Sequence, residues 1–187
     1  MLRRRAGDGP GVGPGPGPGA VRGGGGNRYQ MRQRMFAIGD DFFIEDDNGR
    51  RAFKVDGKAL RVRSTLIFED ANGRELYKIQ EKMVRVRDSM DIENANGQVV
   101  AKVHNALVTP LRDRWQIDIP GGNDLNTTGN IVNHEYKIES GRQTVATVSK
   151  AWFRVRDTYG VEIAPGQDDA LLLAITVCID MMAHSGR

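Results

Sequence analysis

Two kinds of hydrophobic pattern divide this sequence. From Tyr29 to about Ile163, apolar and polar residues alternate in short runs separated by turn residues, a period of two that is typical of half-buried β-strands. The last stretch, DDALLLAITVCIDMMAHS from Asp168 to Ser185, is instead apolar on nearly every side of a helix. The pattern predicts about a dozen short strands, followed by one helix that lipid or protein must surround.

The alternating region contains an internal repeat. The segments FFIEDDNGRRAFKV, LIFEDANGRELYKI and MDIENANGQVVAKV begin at Phe42, Leu66 and Met90, and each carries Asn-Gly at the same offset. Asn-Gly between hydrophobic runs favours a β-hairpin with a type I′ turn, in which both central residues have positive φ. Weaker copies predict a fourth hairpin turning at Ser140-Gly141 and a fifth turning near Tyr159-Gly160.

The helix and the strands suggest one architecture. An open sheet of so many short strands leaves two exposed edges, whereas a closed barrel of that width needs a filling. The C-terminal helix suits that role, because about sixteen residues make a rod of ~24 Å and Asp168 and Asp169 are placed to cap it.

Asp180 interrupts the apolar run, which is shorter than the about 20 residues of a membrane span. The sequence therefore predicts a mainly β fold, a closed antiparallel barrel around a central buried C-terminal α-helix, and favours it over a transmembrane anchor. We expect core positions at Leu172, Ile175, Val177 and Ile179.

The first segment differs in composition. Residues 1–28 alternate Gly and Pro and contain five arginines against one aspartate. Such a sequence has little apolar surface to bury, so it predicts a disordered tail before a single barrel domain at residues 29–187. Because the whole chain has a formal net charge of +3, the domain itself is close to neutral, which argues against nucleic-acid binding.

The sequence contains few candidates for catalytic or metal-binding residues. His104, His134 and His184 are scattered, and no Cys, Asp or Glu stands at metal-ligand spacing beside them. The single cysteine, Cys178, lies in the apolar helix, where a reduced, buried thiol is expected. A nucleophile elbow and a phosphate loop are absent from the sequence. We therefore expect no enzyme, no cofactor and no metal site.

Paired arginines are the sequence feature with a potential binding role. The motifs LRVRST, VRVRDS, LRDRWQ and FRVRDT each place two arginines two residues apart, so that on a strand both side chains point to the same face. Gathered by a barrel, they would form a basic belt for phosphate groups. The alternative is that they pair with outward acids such as Glu69, Asp88, Asp113 and Asp157. The candidate anion- or lipid-binding residues are Arg61, Arg63, Arg85, Arg87, Arg112, Arg114, Arg154 and Arg156.

Several long phrases resemble one protein family. MRQRMFAIGDDFFIEDDNGRRAFKVDGKA, TGNIVNHEYKI and WFRVRDTYGVEIAPGQDDALLLAITVCID are similar to the LURP-one-related family, above all to its bacterial members. That family is grouped in the tubby-like superfamily with the phospholipid scramblases. The resemblance extends over the chain from about Tyr29 and implies a twelve-stranded β-barrel around a hydrophobic C-terminal helix. It also implies binding at a phosphoinositide or membrane surface.

These observations predict a non-enzymatic binding module that recognises phosphoinositides or other anionic lipid headgroups at a membrane surface. With no secretory signal at the start of the sequence, the expected location is cytoplasmic, with peripheral contact to the membrane. Two alternatives stay open. One is a soluble structural or protein-interaction scaffold, and the other is a scramblase-like membrane protein whose last helix leaves the barrel. We expect neither nucleic acid nor a transmembrane segment, and the sequence does not specify a protein partner.

Overall fold

The computed structural model describes residues 26–32, 41–57, 65–84, 87–106, 114–152 and 158–184. Residues 1–25 of the predicted tail lie outside these ranges. The described residues form twelve β-strands and one α-helix. The strands are β1 Asn27–Arg32, β2 Phe42–Asp46, β3 Arg51–Asp56, β4 Thr65–Asp70, β5 Glu75–Val84, β6 Arg87–Asn94, β7 Val99–Ala106, β8 Arg114–Asp118, β9 Leu125–Asn130, β10 Glu135–Ser140, β11 Gln143–Ser149 and β12 Thr158–Ile163, and the helix is α1 Asp169–His184.

The strands make one closed antiparallel barrel. Each strand pairs with the strands before and after it in the sequence, and β1 closes the ring by pairing with both β2 and β12. Closure removes the sheet edges that would otherwise be exposed. The predicted fold class is therefore confirmed.

The repeated hairpins turn differently from the prediction. Gly49 has a φ of 73°, whereas His134 is the one described non-glycine residue with positive φ, so Asn48 does not adopt the type I′ conformation. The Gly49 N–H instead donates to the Asp46 carbonyl at 3.0 Å, and the Asp46 N–H donates to the Arg50 carbonyl at 2.8 Å. This is a type I turn followed by a left-handed glycine. Equivalent bonds form at Gly73 and Gly97.

A carboxylate or amide side chain selects that turn. Asp46 Oδ1 accepts hydrogen bonds from the backbone N–H groups of Asn48 and Arg50, both at 2.9 Å. Asp70 and Asn94 make the same pair of contacts in the next two hairpins. An Asp or Asn that bonds the backbone two residues ahead stabilises the type I geometry, and this bond explains why the Asn-Gly rule gave the wrong turn type.

Each hairpin also contains a bulge at the same offset. Ile44 faces Phe53 and Glu45 faces Arg51, so Ala52 has no partner across the β2–β3 pair. Leu76, Val100 and Val145 are unpaired in the same way in β4–β5, β6–β7 and β10–β11. A bulge bends its strand and increases the local twist. These four bulges therefore help the sheet to curve into a ring.

Two predictions concerned weaker repeats. The fourth hairpin is confirmed, because Ser140 pairs with Gln143 around a loop that contains Gly141. The fifth is wrong, since Tyr159 and Gly160 lie inside β12 and pair with Met31 and Gln30 of β1. Gly160 is therefore a strand residue and not a turn residue.

Helix α1 fills the barrel. Leu172, Ile175, Val177 and Ile179 are buried, at 4% exposure or less, which confirms all four as core residues. They pack against the inward faces of the strands, where residues such as Phe68 and Ile117 are fully buried. The helix is apolar on every side because the barrel surrounds it.

Burial also raises the pKa of the Cys178 thiol, so this cysteine stays protonated, as expected for a small hydrophobic residue.

The two ends of the barrel are distinguished by the two ends of α1. Asp168 Oδ1 caps the helix by accepting from the Leu171 N–H at 2.9 Å, which confirms Asp168 as a cap. Asp169, also expected as a cap, is the first helical residue, and its Oδ2 accepts from the side chains of Asn27 and Tyr29. We call this end of the barrel the helix-start end, and the opposite end, where α1 finishes, the helix-finish end. The helix follows β12, so β12 and the other even-numbered strands end at the helix-start end. Because consecutive strands are antiparallel neighbours, each odd-numbered strand ends at the helix-finish end, where the next strand begins.

Candidate functional site

Of the eight candidate arginines, the structure describes the side chain of one. Arg114 is the first residue of β8 and is exposed, and it makes no ion pair with any other residue in the described ranges. Arg87 is the first residue of β6, but its side chain is not described. The remaining six, Arg61, Arg63, Arg85, Arg112, Arg154 and Arg156, lie outside the described residues.

One arginine motif does not lie on a single strand as expected. β5 ends at Val84 and β6 begins at Arg87, and these two residues pair across the strands. The segment Val84–Ser89 is therefore divided between two strands. Of the two arginines expected on one strand face, Arg87 begins β6, and Arg85 lies outside the described residues.

The strand order relates the four motifs to one another. Each motif lies in the sequence between, or at the start of, strands that meet at the helix-finish end: β3 and β4, β5 and β6, β7 and β8, and β11 and β12. The six sequence segments between odd and even strands contain nine basic and four acidic residues. The basic residues are Arg34, Lys58, Arg61, Arg63, Arg85, Arg112, Lys150, Arg154 and Arg156, and the acidic ones are Asp40, Asp41, Asp113 and Asp157.

The opposite end has no such excess. The segments that follow the even-numbered strands contain three basic and three acidic residues. These are Arg50, Arg74, Arg142, Asp47, Asp124 and Asp168. In the sequence, the excess of basic residues therefore falls in the segments between odd- and even-numbered strands.

Ion pairs engage the three repeat-related lysines of the outer wall. Lys54 lies 3.3 Å from carboxylate oxygens of both Glu69 and Asp41. The repeat-related Lys78 and Lys102 lie 3.3 Å from Glu75 and 3.9 Å from Asp91. Glu69, expected as a partner for the paired arginines, is therefore occupied by a lysine. Exposed pairs of this kind add little stability, but they leave the repeated lysines little free charge with which to bind an anion.

A buried polar cluster holds the finish of the helix. Asp180 Oδ1 lies 2.6 Å from His134 Nε2, and its Oδ2 accepts a hydrogen bond from the Tyr159 hydroxyl at 3.1 Å. The rings of His134 and Tyr159 are 4.3 Å apart. Burial first, and then the charge of Asp180, raises the pKa of Tyr159 and that of the neighbouring Tyr136. Both tyrosines therefore stay protonated.

Sequence reasoning missed this cluster. His134 and Asp180 are 46 residues apart, and the signal was a single carboxylate within an otherwise apolar helix. Both side chains are at most 3% exposed, so the cluster is closed to substrates, and its role is to hold α1 in the barrel. Within the described residues, no group of three His, Cys, Asp or Glu side chains is arranged to hold a metal ion.

A groove of about 470 Å³ opens at the helix-start end. It is lined by Leu76 and Tyr77 at the start of β5, by Asn94 and Asn96 at the β6–β7 turn, and by Asp168 at the start of the helix. The Tyr77 hydroxyl donates to Asp168 Oδ2 at 3.1 Å. Burial and the charge of Asp168 raise the pKa of Tyr77. The groove therefore combines a tyrosine ring, two amides and three charged side chains, those of Arg74, Glu75 and Asp168.

No helix in the described part of the chain is both long and apolar enough to span a membrane. The described residues define a closed twelve-stranded β-barrel with a buried central helix.

The chain belongs to the LURP-one-related family, whose model matches residues 27–180. A solved X-ray structure of a protein from Arabidopsis thaliana has a similar fold, with a TM-score of 0.63 at 15% identity over 84% of this chain and 91% of that one. No curated protein matches the sequence.

Proposed function

We propose that this protein is a non-catalytic binding module that recognises anionic lipid headgroups through the helix-finish end of its barrel. The observation that carries the proposal is the uneven charge of the two ends. Nine basic residues against four acidic ones lie in the segments that join strands at the helix-finish end, compared with three against three at the other. A concentration of basic residues on one face is what attracts a protein to an anionic membrane surface.

The identity of the basic residues fits phosphate recognition. Seven of the nine basic residues in these segments, and all eight candidates of the paired motifs, are arginines, and a guanidinium fork can bond two phosphate oxygens at once. Arg114, the member with a described side chain, is exposed and unpaired with any described acid. Lys54, Lys78 and Lys102 of the outer wall, by contrast, pair with carboxylates, so the repeated lysines are less available to an anion than the arginines of the motifs.

The test is vesicle co-sedimentation at low and physiological salt. The chain without residues 1–26 is compared with the full chain on vesicles of phosphatidylcholine alone, with added phosphatidylserine, and with added phosphoinositide. Each arginine near an anionic surface contributes about 1 kcal/mol, or roughly 5-fold in affinity. Replacing Arg85 and Arg87 with Gln should therefore weaken binding roughly 30-fold, and salt should weaken it as well.

A matched control comes from the opposite end. Arg50 and Arg74 are exposed at 77% and 76%, and replacing both with Gln removes the same charge without touching the proposed surface. That variant should bind vesicles as the parent does. Equal binding to neutral and anionic vesicles, or an equal loss in the two variants, would refute the proposal. Binding that disappears with residues 1–26 would assign the lipid contact to the tail instead and would also refute it.

A further inference from the structure

Three hairpin turns at the helix-start end contain an Asn-Gly pair, at Asn48, Asn72 and Asn96. All three asparagines are exposed, and the glycine after each has open space around it. In such a pair the glycine nitrogen can attack the asparagine side chain, because glycine has no Cβ to obstruct the approach. The three turns are therefore positions at which the chain can modify itself covalently.

The reaction needs only water as a second reactant. The glycine nitrogen loses its proton and forms a bond to the asparagine Cγ, and the bond from Cγ to Nδ2 breaks, so that Nδ2 leaves as ammonia with that proton. Water then opens the five-membered imide ring. Opening at Cγ gives aspartate, whereas opening at the main-chain carbonyl carbon gives isoaspartate, in which the backbone runs through Cγ. Each event consumes one water, releases one ammonia and adds one carboxylate.

The native turn restrains the attacking nitrogen. The Gly73 N–H donates to the Asp70 carbonyl at 3.0 Å, and the Gly97 N–H donates to the Asn94 carbonyl at 2.9 Å. A nitrogen whose proton is engaged in this way becomes a nucleophile only when the turn opens locally. The rate of reaction therefore depends on how firmly each turn is closed.

The side chain that closes each turn differs in charge. Asp46 and Asp70 accept two backbone N–H groups with a carboxylate oxygen, whereas Asn94 accepts the equivalent pair, both at 3.0 Å, with a neutral amide oxygen. Backbone hydrogen bonds from Arg50 and Arg74 lower the pKa of Asp46 and of Asp70, respectively, so both are charged at neutral pH. Hydrogen bonds to a charged acceptor are roughly twice as strong as neutral ones. The turn closed by Asn94 therefore opens most readily.

Two of the turns share the same reacting sequence. Residues 71–73 and 95–97 both read Ala-Asn-Gly, so their intrinsic reactivity is equal and a difference in rate reports the turn alone. Among the described residues, the side-chain amides of Asn72 and Asn96 have no hydrogen-bond partner. Asn48 is restrained further, because its Nδ2 donates to the carboxylate of the preceding aspartate at 3.0 Å.

We propose that Asn96 is a site of spontaneous conversion to aspartate and isoaspartate, and that the neutral Asn94 makes it the first of the three Asn-Gly pairs to react. Asn96 lines the groove at the helix-start end, so the reaction places a new carboxylate there. The isoaspartate form also adds one carbon atom to the main chain of a turn that Asn94 closes with two hydrogen bonds. The reaction thus changes both the charge and the backbone at this end of the barrel.

The experiment incubates the folded full-length protein at physiological temperature and neutral pH, and follows each site by peptide mapping with mass spectrometry. Asn96 should react roughly 5-fold or more faster than Asn72. Asn94→Asp together with Gln98→Arg makes the third turn identical in sequence to the second, and should reduce the rate at Asn96 to that at Asn72. The reciprocal variant Asp70→Asn should accelerate reaction at Asn72 by a similar factor. Circular dichroism melts confirm that each variant is folded.

The unfolded chain provides the control for intrinsic reactivity. In urea that unfolds the protein, Asn72 and Asn96 should react at the same rate, because their neighbours are the same. Equal rates at the two sites in the folded protein would overturn the proposal. So would a rate at Asn96 that the paired variant leaves unchanged, or a folded protein in which Asn96 stays intact while the unfolded chain reacts. None of these results depends on lipid binding.

Discussion

Asp180 and His134 form a buried contact of 2.6 Å between the central helix and the turn that follows β9. Asp180 also accepts from Tyr159 of β12, so a single carboxylate joins the helix to two separate parts of the barrel wall. A buried carboxylate needs such partners because desolvation disfavours its charge. His134 in turn adopts a φ of 53°, a conformation that is uncommon for a residue with a side chain.

Replacing Asp180 with Ala should destabilise the protein by about 3–5 kcal/mol, because His134 and Tyr159 lose a buried partner. Urea unfolding followed by tryptophan fluorescence measures the loss. Asp47→Ala, at an exposed hairpin turn, is the control and should change stability by less than about 0.5 kcal/mol. Equal midpoints for the two variants would show that the buried contact does not hold the helix.

The two acidic hairpin residues make stability depend on pH. Backbone hydrogen bonds from Arg50 and Arg74 lower the pKa of Asp46 and of Asp70, respectively. A carboxyl group whose pKa is lower in the folded state stabilises the fold above its unfolded pKa, and this contribution is lost as pH falls through the folded pKa. Unfolding midpoints should therefore drop below about pH 4.

Asn94 shows how to remove that dependence without changing the turn, because it makes the same backbone contacts with no charge. The double variant Asp46→Asn and Asp70→Asn should lose less stability between pH 7 and pH 3 than the parent does. Urea midpoints at the two pH values provide the comparison. Identical pH profiles for parent and variant would contradict the role assigned to these two carboxylates.

Ile175 lies in the middle of α1 and is fully buried. Ile175→Asp should prevent stable folding, because an unpaired charge would be placed in the core. Ile175→Val removes one methylene group and should cost only about 0.5–1.5 kcal/mol. Thermal melts followed by circular dichroism distinguish the two. An Asp variant that melts like the parent would mean that the helix is not enclosed by the barrel.

Gly129 is a site where a side chain does not fit. Its φ is 125°, and an added Cβ would lie 2.5 Å from the Glu135 carbonyl oxygen and 2.7 Å from the Tyr136 Cα. Gly129→Ala should therefore destabilise the β9–β10 pair by about 2–4 kcal/mol. Gly141 also has positive φ, at 60°, but has open space around it, and its Ala variant should lose only about 1–2 kcal/mol. Similar losses at both positions would exclude the steric explanation.

The fold was predictable because its signals are local. Asn-Gly repeats mark three hairpins, and the unbroken apolar surface of Leu171–Ile179 leaves only a barrel or a bilayer to surround the helix. The turn type was not predictable from Asn-Gly alone, because the Asp46 side chain decides it. Gly160 was misread as a turn residue because nothing local distinguishes a glycine that pairs within a strand.

The candidate site was less accessible to sequence reasoning. The arginine motifs were visible as pairs, but their relation to one end of the barrel depends on the order of all the strands. The contact between His134 and Asp180 depends on the position of α1 within the ring, and no spacing along the chain encodes it. The groove depends on how two hairpins and the helix start come together, so its carboxylate, Asp168, was recognised only as a cap.

The pairing of β1 with β12 also determines when this protein can fold. Strand β1 can pair with β2 soon after both have been synthesised. Its other partner, β12, is synthesised more than a hundred residues later, and the helix that fills the core follows β12. Contacts between such distant segments form slowly. Until synthesis reaches α1, the nascent chain is an open sheet with apolar residues and an unpaired edge exposed, and it is in this interval that the protein most needs protection from aggregation.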